Sequence, residues 1–197
     1  MMQYIDWRIR NLNNFFIKEV IKMKDSIKIT SEIFIEEPKI FSIPLNELPN
    51  HIDAFKKVNP YYMDGIVTIR AGKQEAAMSY YMGFLWDLIL NALEELLTQD
   101  TTNFDCHADV TIKHLKNSKQ DILSWQVERF GKVKYDFKPF VFELLDAAED
   151  FFTSVTNNLG NITLDIDIDN NYDYSSSIEY LKQIREKYVK MLGVNNR

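Results

Sequence analysis

Val67-Thr68-Ile69-Arg70-Ala71-Gly72-Lys73 and Val127-Glu128-Arg129-Phe130-Gly131-Lys132 share an Arg-x-Gly-Lys core at a spacing of 59 residues. In both stretches β-forming residues flank a glycine, and a long run of helical periodicity follows. Glycine reaches positive φ at little cost, which suits the tight turn of a hairpin. At the same spacing Leu85 matches Leu144, Asp87 matches Asp146 and Asn91 matches Asp150. The pattern predicts a duplicated β-hairpin–helix unit over residues 60–100 and 119–159.

The two helical runs differ in character. On a 3.6-residue wheel, Tyr80, Gly83, Asp87, Asn91 and Glu94 make a narrow polar stripe, and Leu85, Trp86, Leu88, Ile89, Ala92, Leu93 and Leu96 fill most of the rest. A helix over about 80–97 with so wide an apolar girth must be nearly surrounded, by its own chain or by a second copy. The other, about 139–157, begins at Pro139, a favourable first-turn residue. It turns Phe140, Val141, Leu144, Leu145, Ala148, Phe151, Phe152 and Val155 one way, and Glu143, Asp146, Glu149 and Asp150 the other.

Period-2 alternation predicts strands elsewhere. Ile27, Ile29, Ser31, Ile33 and Ile35 alternate with charged or polar neighbours, and Ile40–Ile43 reads as a short partner strand ending at Pro44. A short helix is expected at Pro49–Val58. Phe104–Lys116 and Asp121–Phe130 read as antiparallel strands, and Ile162–Ile168 as one more. Ser176 and Glu179 have the spacing of a capping box for a last helix, 177–191, that buries Ile178, Leu181, Ile184, Tyr188 and Met191 and closes at Gly193. Residues 3–24 fit either a helix face or a strand. No long linker interrupts the chain. The expectation is one compact α+β domain, an antiparallel sheet of hairpins with two long helices and a C-terminal helix.

Composition narrows the function. The chain is 46% hydrophobic with 6 glycines and 5 prolines, enough for a real core. A lone cysteine, Cys106, excludes an intrachain disulfide, and the start Met1–Trp7 lacks a signal-peptide pattern, so a cytoplasmic location is expected. The apolar window Tyr80–Leu97 is broken by Asp87, Asn91, Glu94 and Glu95, which argues against a membrane span. An acidic balance argues against nucleic acid as partner.

The motifs of common chemistries are missing. Asp165-x-Asp167-x-Asp169 invites a calcium loop, yet in no register does it place glycine sixth and glutamate twelfth. His107 and His114 fall on opposite faces of one strand, as do Cys106 and His107, so neither pair makes a zinc site or a dyad. No nucleophile elbow or phosphate-binding glycine loop occurs. No metal and no cofactor is expected. One arrangement resembles a Mg²⁺-dependent nuclease: Asp121 and Asp136 at strand ends, with Lys138 two residues on. Basic residues for a substrate track are confined to residues 113–138, and a charged hairpin edge explains them equally well. Trp86 and Trp125 could line a ligand pocket, though core is the expected role.

Charge is the strongest functional signal. Gln74–Ile112 and Pro139–Leu181 contain no lysine or arginine and hold 7 and 9 acids. The other residues hold all 23 bases and 13 acids, so a net charge of −6 hides a segregated pattern. A one-signed surface selects and speeds oppositely charged partners. With no catalytic set in view, the pattern predicts a non-enzymatic binding protein that docks a basic protein, as immunity or antitoxin proteins capture a toxin. The expected docking residues are Glu143, Asp146, Glu149, Asp150, Asp165, Asp167, Asp169, Tyr172, Asp173 and Tyr174. A homo-oligomeric scaffold, joined as a homo-dimer through the 80–97 helix, is the second reading, and the nuclease-like hydrolase is the third.

Overall fold

A computed structural model describes residues 26–35, 40–57, 63–160 and 174–193. The strands are β1 (Ile27–Ile35), β2 (Phe41–Pro44), β3 (Asp64–Ala71), β4 (Gln74–Tyr81), β5 (Thr101–Asp105), β6 (Asp109–Asn117), β7 (Gln120–Val127) and β8 (Gly131–Asp136). The helices are α1 (Met82–Glu95), α2 (Phe137–Leu159) and α3 (Ser175–Met191), and a 3-10 segment kinked at His51 spans Leu45–Lys57. All eight strands form one antiparallel sheet, ordered β2-β1-β3-β4-β8-β7-β6-β5. This is an α+β fold.

The hairpin β3–β4 runs into α1, and the hairpin β7–β8 runs into α2. The 59-residue spacing nevertheless misaligns the two turns. The first turn is Gly72-Lys73, with Ala71 opposite Gln74 and Gly72 at φ 59°. The second is three residues long, with Val127 opposite Gly131 and Arg129 at φ 64°. Arg70 therefore lies within a strand while Arg129 sits in a turn. The sequence motif found the right units through a match that is not structurally equivalent.

The halves of the sheet meet at a narrow seam between β4 and β8. Ala76 pairs with Gly131, and the Ala77 N–H donates to the Phe130 carbonyl at 3.1 Å. The Gln74 side-chain amide extends the seam. Its Oε1 accepts from the Lys134 N–H at 2.9 Å, and its Nε2 donates to the Lys134 carbonyl at 3.3 Å. A side chain thus supplies the pairing that a strand backbone would supply. The helices also cross the seam. α1 packs on β3 and β4 but also on β5, and α2 packs on β7 and β8 but also on β1.

One sheet face lies beneath the helices. Ile27, Ile29, Ile33 and Ile35 of β1 point into that core with Val67 and Ile69 of β3, as period-2 alternation requires. Every predicted core position of α2 is fully buried, and Trp86 of α1 stacks on Phe151 with ring centroids 6.4 Å apart. The Trp86 indole N–H donates to Ser31 Oγ at 3.2 Å. Trp86 and Trp125 are both fully buried core residues.

α1 begins at Met82 because Tyr80 and Tyr81 complete β4, opposite Gly65 and Asp64. Its apolar girth is covered by its own sheet and by α2. Its polar stripe is covered by α3. Ser177 Oγ donates to Asp87 at 3.1 Å, and the Tyr180 hydroxyl lies 2.5 Å from Glu94 and 2.9 Å from Asn91. The motive for covering this helix with a second copy is thereby removed. The Tyr188 hydroxyl donates to the Leu93 carbonyl at 2.6 Å, which satisfies one of the last carbonyls of α1. Tyr188→Phe leaves that buried carbonyl without its donor, and urea denaturation should report a loss of about 1–2 kcal/mol.

Four local expectations need correction. The strand expected at Phe104–Lys116 is two strands, because the chain turns at Cys106-His107-Ala108 with His107 at φ 64°. Phe104, Cys106, Val110 and Ile112 keep one parity across that turn, so alternation alone does not reveal it. The last helix starts at Ser175 with Tyr174 as its N-cap and has no side-chain cap, so Ser176 and Glu179 form no capping box. Met191 is 45% exposed rather than buried. The short helix expected from Pro49 is a 3-10 segment that starts earlier, at Leu45. The expected strand at Ile162–Ile168 and the ambiguous residues 3–24 lie outside the described residues.

Candidate functional site

With the apolar positions of α2 committed to the core, Glu143, Asp146, Glu149 and Asp150 are left on its outer flank. They do not act as one patch. Arg185 of α3 reaches across to Asp146 at 2.7 Å and to Glu149 at 2.9 Å. Those two acids share one guanidinium, which offsets half of their charge and ties α3 to α2. Glu143 and Asp150 turn instead toward β1.

There the sheet has a notch. β1 is nine residues long, but β2 pairs only with Glu32–Ile35 and stops at Pro44. Proline has no N–H to continue a ladder. Among the described residues, Ile27–Ser31 therefore have a strand neighbour on one side only, namely β3. The open side faces a cleft of about 570 Å³ lined by Lys28, Ile29, Ser31, Glu32 and Asn46 on one side and by Glu143, Ala147 and Asp150 on the other. Arg70 also reaches this cleft but pairs with Glu75 at 2.5 Å.

Burial in the cleft raises the pKa of Glu143. The Ile29 backbone N–H, which the carboxylate reaches, pulls it back. The charges of Asp146 and Asp150 push it further up, and Lys28 opposes them. An anion that is partly desolvated and repelled by its neighbours gains when a cation arrives. The cleft is thus chemically suited to a basic group.

Tyr174 is not a surface residue. It is 5% exposed and packs on Phe152 and Phe151, with ring centroids 5.2 and 6.1 Å away. Its position just before α3 directs the ring into the core, so it leaves the docking set. Asp165, Asp167, Asp169, Tyr172 and Asp173 lie outside the described residues.

Asp121, Asp136 and Lys138 do converge. They line a cleft of about 350 Å³ with Lys119 and Phe137. Lys138, however, belongs to α2 and not to the end of β8, so strand alternation does not set it beside Asp136. Asp121 is engaged by His114 Nε2 at 2.6 Å, and the His114 ring stacks on Phe137. Among the described residues no group of three or more His, Cys, Asp or Glu side chains could hold a metal ion. Cys106 is buried, which pushes its thiol up to about 11 and leaves it a poor nucleophile at neutral pH.

Asp87, between α1 and α3, has its pKa raised by burial, with the Ser177 hydroxyl opposing. The folded state therefore favours the protonated acid, and its contribution to stability is lost as pH rises through the folded pKa. Asp87→Asn keeps an acceptor for Ser177 and removes the desolvated charge. It should unfold at a higher temperature than the parent at pH 7, and the difference should vanish below pH 3.8, the ordinary value for this group.

Sequence reasoning found Glu143 and Asp150 but missed the other wall, the open side of β1. A signal was present. Pro38 and Pro44 leave room for only a short partner beside a nine-residue alternating strand.

No protein family model, no curated protein and no solved structure matches this chain. No described helix is long and apolar enough to cross a membrane.

Proposed function

We propose that this chain is a non-enzymatic binding protein of the immunity or antitoxin type, which holds a basic protein partner in the cleft between α2 and β1. One observation supports this reading above others. Glu143 and Asp150 converge on an open notch of the sheet, while their neighbours Asp146 and Glu149 already share Arg185. Charge left over beside an accessible cleft is what fast capture of a basic partner requires. A photo-crosslinking residue in place of Asn46, on the cleft rim, tests it in extracts of the native host. The expected product is one basic protein, lost when Glu143→Lys and Asp150→Lys are introduced together. A product indifferent to that double substitution, or an acidic one, contradicts the reading.

A further inference from the structure

We infer that the partner enters this cleft as a strand: an extended segment pairs with Ile27–Ser31 of β1 and turns alternate lysine or arginine side chains toward Glu143 and Asp150. The inference rests on the docking reading of the same cleft.

The backbone carries the case. In an antiparallel ladder successive residues turn their N–H and C=O to opposite sides. Opposite β2, Glu32 faces Pro44, which has no N–H to give, so the exchanged bonds fall to the other parity, Ile33 opposite Ile43 and Ile35 opposite Phe41. The Ile29 N–H, of the same parity, turns outward to Glu143. Ile27, Ile29 and Ser31 thus present a row of donors and acceptors along a stretch of about 16 Å, at roughly 3.3 Å per residue. Such a row is a template for an added strand, and folds normally cover or blunt it. Here Glu143 blunts it at one point, where its carboxylate takes the Ile29 N–H. An incoming carbonyl replaces it at Ile29 and frees the carboxylate to pair with the incoming base.

The cleft also sets the pattern of the ligand. Side chains of an added strand alternate between the helix side, where Glu143, Ala147 and Asp150 wait, and the open face, where Lys28, Thr30 and Glu32 lie. Basic residues belong on the first side and uncharged ones on the second. Lys28 and Glu32 offset one another on the open face, while Glu143 and Asp150 both favour a base on the helix side, so the alternation fixes the register parity.

The probe is a nine-residue peptide alternating lysine and valine, titrated against the full chain by fluorescence anisotropy. Two further peptides carry N-methyl groups on the amides of either the lysines or the valines. One of these should bind at least about 30-fold more weakly and the other within about threefold of the parent, because only one set of amides faces β1. Glu143→Lys with Asp150→Lys should weaken the unmethylated peptide. Equal binding of both methylated peptides overturns strand addition while leaving the docking reading in place. No binding, or binding indifferent to the double substitution, overturns both. Self-association of the unliganded chain in sedimentation that the peptide cannot reverse assigns the edge to a second copy and also overturns the inference.

Discussion

Gly131→Ala should destabilise the fold by about 3 kcal/mol or more and lower Tm by about 10 °C, on the usual scaling for a chain of this size. Gly131 opens β8 at φ 110°, a conformation that side chains rarely adopt. A Cβ there would collide with the Glu75 backbone carbonyl across the seam. Strain at a non-glycine residue in such a region costs about 1–3 kcal/mol. The collision adds to it, because backbone on both sides must separate. The seam has little to spare, since it rests on the Ala76–Gly131 pairing, one bond beside it and the Gln74 amide. Urea and thermal unfolding followed by circular dichroism check this. A variant as stable as the parent would mean that the halves are held by the helices alone.

The second large effect is on binding. Reversing Glu143 and Asp150 to lysine should weaken the basic partner by about 100-fold or more, equivalent to about 2.7 kcal/mol. Removing one charge from a close interfacial pair costs about 2–5 kcal/mol, and reversal adds repulsion. The neutral pair Glu143→Gln and Asp150→Asn should fall between the parent and the reversed variant, because it loses attraction without adding repulsion. Reversal of Asp146 and Glu149 should weaken binding less, since Arg185 already offsets part of their charge and they do not line the cleft. Calorimetric titration of the captured partner at low and high salt reads all three. Wild-type affinity should fall with salt and approach that of the reversed variant. Folding should survive the reversal, because burial and the charges of Asp146 and Asp150 disfavour the Glu143 carboxylate in the fold.

Much of this architecture is legible in the sequence, for physical reasons that differ by element. α2 is clear because a surface helix separates its faces, and every position expected in its core, from Phe140 to Val155, is fully buried. β1 is clear because alternation reports a sheet with one covered face. α1 shows that it is surrounded but not by what, because periodicity does not name the neighbour. Its stripe of Asp87, Asn91 and Glu94 proves to be the seat of α3. The turn at His107 is invisible, because the alternation on either side stays in phase. Of the candidate site, the carboxylates can be read from the wheel of α2, but their inequality cannot. Arg185, 39 residues after Asp146 in the chain, decides which acids are already paired. The open side of β1 among the described residues is a fact of pairing, and only the two prolines hint at it.

Amide hydrogen exchange of the full chain, with and without the captured basic partner, tests the docking site most directly. Slowed exchange is expected at Ile27–Ser31 and along Glu143–Asp150, with the rest of the sheet unchanged. Protection confined elsewhere, such as the cleft formed by Lys119, Asp121, Asp136 and Lys138, would contradict it.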